Sequence, residues 1–380
     1  MRNFFKLLIE LFFLLLFSES LYAAPLGYGI FQKIHYDDRM NNPTKNIENP
    51  CLSGVEVIFN WTELEPENGK FRWELIDSAI EPWVKKDKQV ILSFRTVQKK
   101  GTNPTQRSAT PSWVYSSGVS KIEGDGTNWP IYWDKKFLEK YEEFIKSLAE
   151  RYDGNPNIEF IIMGVGQFGG TKISGVKKIL AEYKKNGYTE EVWSETIKKI
   201  INLYKKHFKK TPIALVLSPF HRYGDKSEEF IYPIAEYAAA QGVYLYNHSL
   251  TGNPDFVNNP FIPLYAKVNK ITKIILGPDG PVYKKNLTEK SDKESQEESQ
   301  SQKKKEKRRG GSRKGRGQIR DVIENSFGGV SKIPLTHVSY LIFYASDIST
   351  ATKGSNIYDG TFALAIKEAY ERLSPKNLEK

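Results

Sequence analysis

Cysteine is nearly absent. A single residue, Cys51, stands in the 380-residue chain, so no intrachain disulfide can form and no cluster of thiols can hold a metal. The fold has to be held by packing alone. No spacing of His, Cys, Asp or Glu resembles a metal site, and the glycine-rich run from Gly164 to Gly170 lacks the lysine and the spacing of a phosphate-binding loop. Neither a metal nor any cofactor is expected. A membrane-spanning run is missing too, because the apolar stretch Leu7 to Phe17 falls short of the roughly 20 residues a span needs. Preceded by Arg2 and Lys6 and followed by Ala23-Ala24, it reads instead as a signal peptide over residues 1–24, which places the mature protein in the secreted or periplasmic space. An uncleaved membrane anchor is the lesser alternative.

Charge is unevenly placed. The net charge is +11, but residues 284–320 hold 14 Lys and Arg against 6 Asp and Glu, so +8 belongs to this insert and +3 to everything else. From Lys290 to Gln318 the insert has no aliphatic or aromatic residue to bury, cannot offset the entropy of ordering, and is expected to be disordered. Its acidic half precedes a basic half, and the basic run 303–316 is either a contact for a polyanion or a solvated loop. Nucleic acid is not the expected partner, since no aromatics interleave with the basic residues to stack on bases.

What is there is a regular alternation. Apolar runs suited to buried strands fall at 25–32, 55–59, 89–95, 158–163, 212–217, 242–246, 273–276 and 337–344, and most are followed by helical spacing, as in Phe137, Leu138, Tyr141, Phe144, Ile145 and Leu148. Eight strands alternating with helices imply an α/β fold, a single (β/α)8 TIM barrel over residues 25–380 with the charged insert before its last βα unit.

One corner is more specific. Trp61, Glu65, Pro66, Gly69, Phe71, Trp73 and Asp77 keep the spacing W-x-x-x-E-P-x-x-G-x-F-x-W-x-x-x-D. It resembles the second βα unit of (β/α)8-barrel glycoside hydrolases, particularly the bacterial β-galactosidase and endoglycanase families. The elements Pro111-Ser112-Trp113-Val114 and Trp129-Pro130-Ile131-Tyr132-Trp133-Asp134 are similar to aromatic loops of the same families. The resemblance implies a carbohydrate substrate or ligand, cleavage of O-glycosidic bonds, an acid/base glutamate at the end of barrel strand four and a nucleophilic glutamate at the end of strand seven.

The sequence departs from that pattern at both strand ends. Where these families often read G-x-x-G-E, this chain has Gly166-Gln167-Phe168-Gly169-Gly170, and the nearest acid to strand seven is Asp279 in a turn-prone GPDGP. Two readings stay open. A hydrolase would use Asp279 as nucleophile with Asp347, His248 or a loop acid such as Glu63 as proton donor. A catalytically inactive barrel would bind glycan through Trp61, Trp113, Trp129 and Trp133. In both, Asn60, Arg95, Gln167, His221, Asn247 and Tyr344 line the mouth, Trp61 offers a sugar a flat face, and Asp347 shares the strand parity of Leu341, Phe343 and Ala345.

Overall fold

The apolar runs become strands buried on both faces, as a parallel sheet covered by helices requires. The computed structural model describes residues 26–97, 108–124, 126–220, 228–253, 256, 258–282, 318–328 and 338–373. Ten strands follow in chain order: β1 (Gly29–Ile34), β2 (Gly54–Asn60), β3 (Gln89–Arg95), β4 (Lys121–Gly124), β5 (Thr127–Pro130), β6 (Ile158–Ile162), β7 (Ile213–Leu217), β8 (Tyr244–Asn247), β9 (Ile274–Leu276) and β10 (Val338–Tyr344). Eight of them close a barrel in the order β1-β10-β9-β8-β7-β6-β3-β2, every pair parallel, while β4 and β5 form a separate antiparallel ribbon. The fold is a (β/α)8 TIM barrel.

Two apolar cores result. Phe31, Ile91, Phe160, Val216, Tyr246 and Ile342 belong to the core inside the barrel, and a larger core lies between the barrel and its helices. The outer helices include Glu74–Val84, Lys135–Tyr152, Glu190–His207, Glu228–Ala240, Phe261–Val268, Ile319–Ser326 and Gly360–Arg372. Caps set where two of them start: Asp134 accepts from the Lys136 amide at 2.9 Å and Thr189 from the Val192 amide at 3.1 Å.

The base of the barrel explains why β1 begins later than the apolar run suggests. The amides of Leu26 and Gly27 donate to the buried Glu159 carboxylate at 2.8 and 2.7 Å, and the Tyr340 hydroxyl donates to it at 2.8 Å. These residues plug the amino end of the barrel instead of extending the strand.

The sequence pattern did not show the β4–β5 ribbon, the helix Lys177–Lys185, the short helices Tyr36–Asn41, Trp61–Leu64, Ser112–Ser116 and Ala345–Thr350, or the helix Ile319–Ser326. The last corrects the far end of the charged insert. Gln318 caps that helix, Ile319 is buried in it, and Arg320 reaches Glu368 at 3.7 Å, so residues 318–320 are ordered. Residues 284–317, the expected signal peptide over 1–24, and His221 lie outside the described residues. The insert therefore joins β9 to its own helix, within the seventh βα unit. Among the described residues, no helix is long and apolar enough to cross a membrane.

Candidate functional site

Strand parity decides what fills the carboxyl end of the barrel. Phe31, Ile91, Tyr246 and Ile342 point inward, and stepping two residues toward the strand ends brings in Lys33, Ser93 then Arg95, His248 and Tyr344. Lys33 pairs in register with Tyr344 on one side and Glu56 on the other, and Asn60 pairs with Arg95. These residues meet. The Lys33 ammonium lies 3.7 Å from Glu56 Oε2, 5.5 Å from the Tyr246 ring centre and 5.3 Å from that of Tyr344. His248 packs edge-on against Tyr246 at 4.1 Å, and His35 lies 5.9 Å from Tyr344.

The electrostatics of this chamber follow from burial. Burial pushes the Lys33 ammonium down, as does the Arg95 charge, while Glu56 pulls it back up. Arg95 is likewise lowered by burial. His35 is held down at about 3 by burial and by the Arg95 and Lys33 charges, and His248 is driven well below its usual value by burial first and then by Lys33, Arg95 and His35. Both histidines are therefore neutral. Several buried polar atoms here have no hydrogen-bond partner: Glu56 Oε2, Asn60 Oδ1, Arg95 Nε, Tyr246 OH and His248 Nε2. Most buried polar groups are paired, so a cluster of orphans from β2, β3 and β8 marks a place where water or a ligand completes the structure.

Of the expected site residues, the structure brings Asn60, Arg95, His248 and Tyr344 into this chamber and adds Lys33, His35, Glu56 and Tyr246, which the sequence reading passed over. A signal existed. Lys33 and Glu56 are the single charges of strands that are buried along their whole length.

The tryptophans are placed otherwise. Trp61 is wholly buried, its ring among Trp113, Tyr141 and Phe144 at 5.2–5.9 Å and its Nε1 donating to Glu65 at 2.8 Å, so it has no face to offer a sugar. Trp129 is also buried and donates to the Gly124 carbonyl at 3.2 Å, inside the ribbon. Trp113 and Trp133 are half-buried, and their indoles donate at 3.0 Å to the carbonyls of Glu65 and Asn186. All four indole N–H groups are used by the protein. The described mouth instead exposes Phe168, 44% accessible and held at φ 60 in the loop after β6. That left-handed backbone is unusual for an aromatic residue and costs energy that the surrounding loop must supply.

The polar candidates divide as well. Gln167 Oε1 accepts from the Gly175 amide at 2.7 Å, and Asn247 Oδ1 accepts from the Ser249 amide at 2.8 Å, so both hold loops at the mouth. Asp347 does not point inward. The parity it shares with Leu341 and Phe343 is that of the outer core; it sits in the helical turn Ala345–Thr350, wholly buried, and its carboxylate accepts from the Val282 amide at 2.9 Å and the Tyr344 amide at 3.3 Å. Burial, with Lys33 and Arg95, disfavours the protonated form of His248 that a general acid near neutral pH would need. Glu63, the loop acid, bonds Arg39 at 2.8 Å and the Asn60 amide at 2.7 Å. Asp279 is exposed, three residues past β9. Position 170 bridges to Val216 of β7, and a Cβ there would meet Val216 Cγ1 at 3.0 Å and its carbonyl at 3.1 Å. A side chain there would press against β7.

A closed parallel barrel with polar side chains gathered at its carboxyl end has the general layout of a (β/α)8 barrel site. Within that class, residues 37–163, about a third of the chain, match the glycoside hydrolase family 42, beta-galactosidase. The matched stretch holds the Trp61 corner and Arg95 but ends before Gln167. The chain is 27% identical over 157 residues to the beta-galactosidase Pbg of Clostridium perfringens, an alignment covering 35% of this chain and 21% of that one. It thus spans about a fifth of the length of the curated relative it matches. The fold is similar to the catalytic domain of a beta-amylase from Paenibacillus polymyxa, at a TM-score of 0.62 and 10% identity, over 93% of this chain and all of the other. The chain is a (β/α)8 barrel whose residues 37–163 resemble the beta-galactosidases.

Proposed function

We propose that this protein is exported and binds carbohydrate at the carboxyl-terminal mouth of its barrel, without the paired carboxylates of hydrolysis. The observation that carries the reading is the chamber of unpartnered polar atoms, Asn60 Oδ1, Arg95 Nε, Tyr246 OH and His248 Nε2, converging from three strands. Sugar hydroxyls donate and accept, which is what such a mixed set of orphans needs. Phe168 offers an exposed apolar face in the loop after β6. The acids that would do chemistry have other work: Glu56 faces the Lys33 ammonium, Glu63 faces Arg39, and Asp347 holds two backbone amides.

Isothermal titration with a panel of neutral and acidic oligosaccharides tests the reading, with Phe168→Gly as the informative variant. Glycine accepts φ 60 without strain, so the melting temperature should hold or rise, while affinity should fall by about 1 to 3 kcal/mol if the ring stacks on the sugar. Unchanged affinity would move the site away from the loop after β6. Hydrolysis remains the second reading because Asp279 lies exposed just past the seventh barrel strand. Turnover of aryl glycosides by the wild type, lost in Asp279→Asn, would establish it.

A further inference from the structure

Buried cations are normally paired, since an ion stripped of water without a partner is costly. The chamber breaks that rule. Lys33 and Arg95 share it, and the carboxylate within reach of the pair is Glu56, 3.7 Å from the Lys33 ammonium. The other acid near Arg95, Glu63, is taken by Arg39 at 2.8 Å and by the Asn60 amide at 2.7 Å. Arg95 Nε is buried with no partner, and among the described residues its guanidinium has no ion pair, although the side chain is not fully enclosed. His35 and His248, facing the same space, are neutral and add no charge of either sign. Two cationic side chains thus share one carboxylate at the mouth.

From this geometry we infer that the chamber recognises an acidic sugar, one bearing a carboxylate or a sulfate ester, with Arg95 as the residue that grips the anion and Lys33, held between Tyr246 and Tyr344, as the second cation. The inference rests on the proposal of carbohydrate binding and names its ligand class. A guanidinium presents a planar fork of donors that matches a carboxylate or an oxyanion two atoms at a time. The neighbouring neutral donors and acceptors, Asn60, Tyr246 and His248, then serve the ring hydroxyls.

The experiment is a titration of the whole protein with three matched ligands: a hexuronic acid oligosaccharide, its neutral counterpart, and a sulfated counterpart. The acidic sugar should bind about tenfold or more tightly than the neutral one, and raising the salt from 50 to 500 mM should narrow the gap. In Arg95→Gln the preference should vanish, and in Arg95→Lys it should return in part, which separates loss of the anion contact from loss of the fold. The uronate and sulfate arms tell a carboxylate site from a sulfate site. Equal binding of neutral and acidic sugars would overturn the anion inference and leave carbohydrate binding standing. Binding of none of the three would overturn both.

Discussion

The indole Nε1 of Trp61 donates to Oε2 of Glu65 at 2.8 Å, four residues on in the chain. That contact accounts for the most distinctive spacing in the sequence. Glu65 also accepts from the Gly69 amide at 2.9 Å, and Gly69 itself takes φ 72, a conformation that favours glycine. Phe71 stacks on Trp73 at 4.7 Å, and Asp77 accepts from the Tyr152 hydroxyl at 2.8 Å. The stretch shared with glycoside hydrolases is, in this chain, a packed corner that fastens the second βα unit to the helix Lys135–Tyr152.

Trp61→Ala is therefore expected to destabilise the fold by about 3 to 5 kcal/mol, through a cavity among Trp113, Tyr141 and Phe144 and a buried Glu65 oxygen that loses its indole donor. Urea unfolding monitored by circular dichroism measures this. Intact stability combined with weakened glycan binding would return Trp61 to the mouth.

Gly170→Glu is expected to bring no hydrolysis. The added Cβ meets the backbone of β7, and strain of this kind typically costs about 1 to 3 kcal/mol. The variant should melt several degrees lower and stay inactive on aryl glycosides, whose leaving groups need little protonation. A gain of turnover would show that the loop can open around position 170.

Acid should loosen the protein before most carboxylates titrate. His35 is held at about 3 by burial and by Arg95 and Lys33, and His248 is lowered by the same kinds of cause, against about 6.5 for an unfolded histidine. The folded state thus binds fewer protons than the unfolded state across this interval. Their contribution to stability is present above pH of about 6.5 and is lost as pH falls toward 3, with a slope of up to about 1.4 kcal/mol per pH unit for each histidine. Chemical unfolding between pH 7 and 5 should show that slope, and His35→Gln should flatten part of it. A wild-type curve with no slope in this range would mean that neither ring is buried neutral.

The barrel itself was legible in the chain. β3 runs from Gln89 to Arg95 as its apolar run suggests, and the other barrel strands begin or end within a few residues of theirs. A strand covered by helices outside and by side chains inside must be apolar throughout, and that signal survives without any tertiary information. Gly54 adds a constraint the pattern does not display: a Cβ there would lie 1.8 Å from the Gln89 carbonyl, so β2 and β3 close up where the side chain is absent.

The elements that were missed lack such a signal. The ribbon β4–β5 is four residues a side; β4 buries only Ile122, while β5 is mostly buried. The helix Ile319–Ser326 follows directly on charged sequence and is secured by tertiary partners, Asn325 to the Thr251 carbonyl at 2.7 Å and Glu324 to Arg372 at 3.1 Å.

Sequence alone determined the number of barrel strands, their order in the chain and the end of the barrel where polar residues gather, because burial on two faces and strand-end polarity are properties of short runs of residues. Tertiary structure decided which side of each strand faces the chamber. A parallel strand is apolar on both faces, so parity cannot tell inside from outside: Asp347 shares its step with Leu341 and Phe343 and lies in the outer core, while Lys33 and Glu56, hidden in apolar runs, meet at 3.7 Å inside. The same holds for the tryptophans. An indole is equally suited to a sugar and to a core, and for Trp61 the rings of Trp113, Tyr141 and Phe144 made the choice.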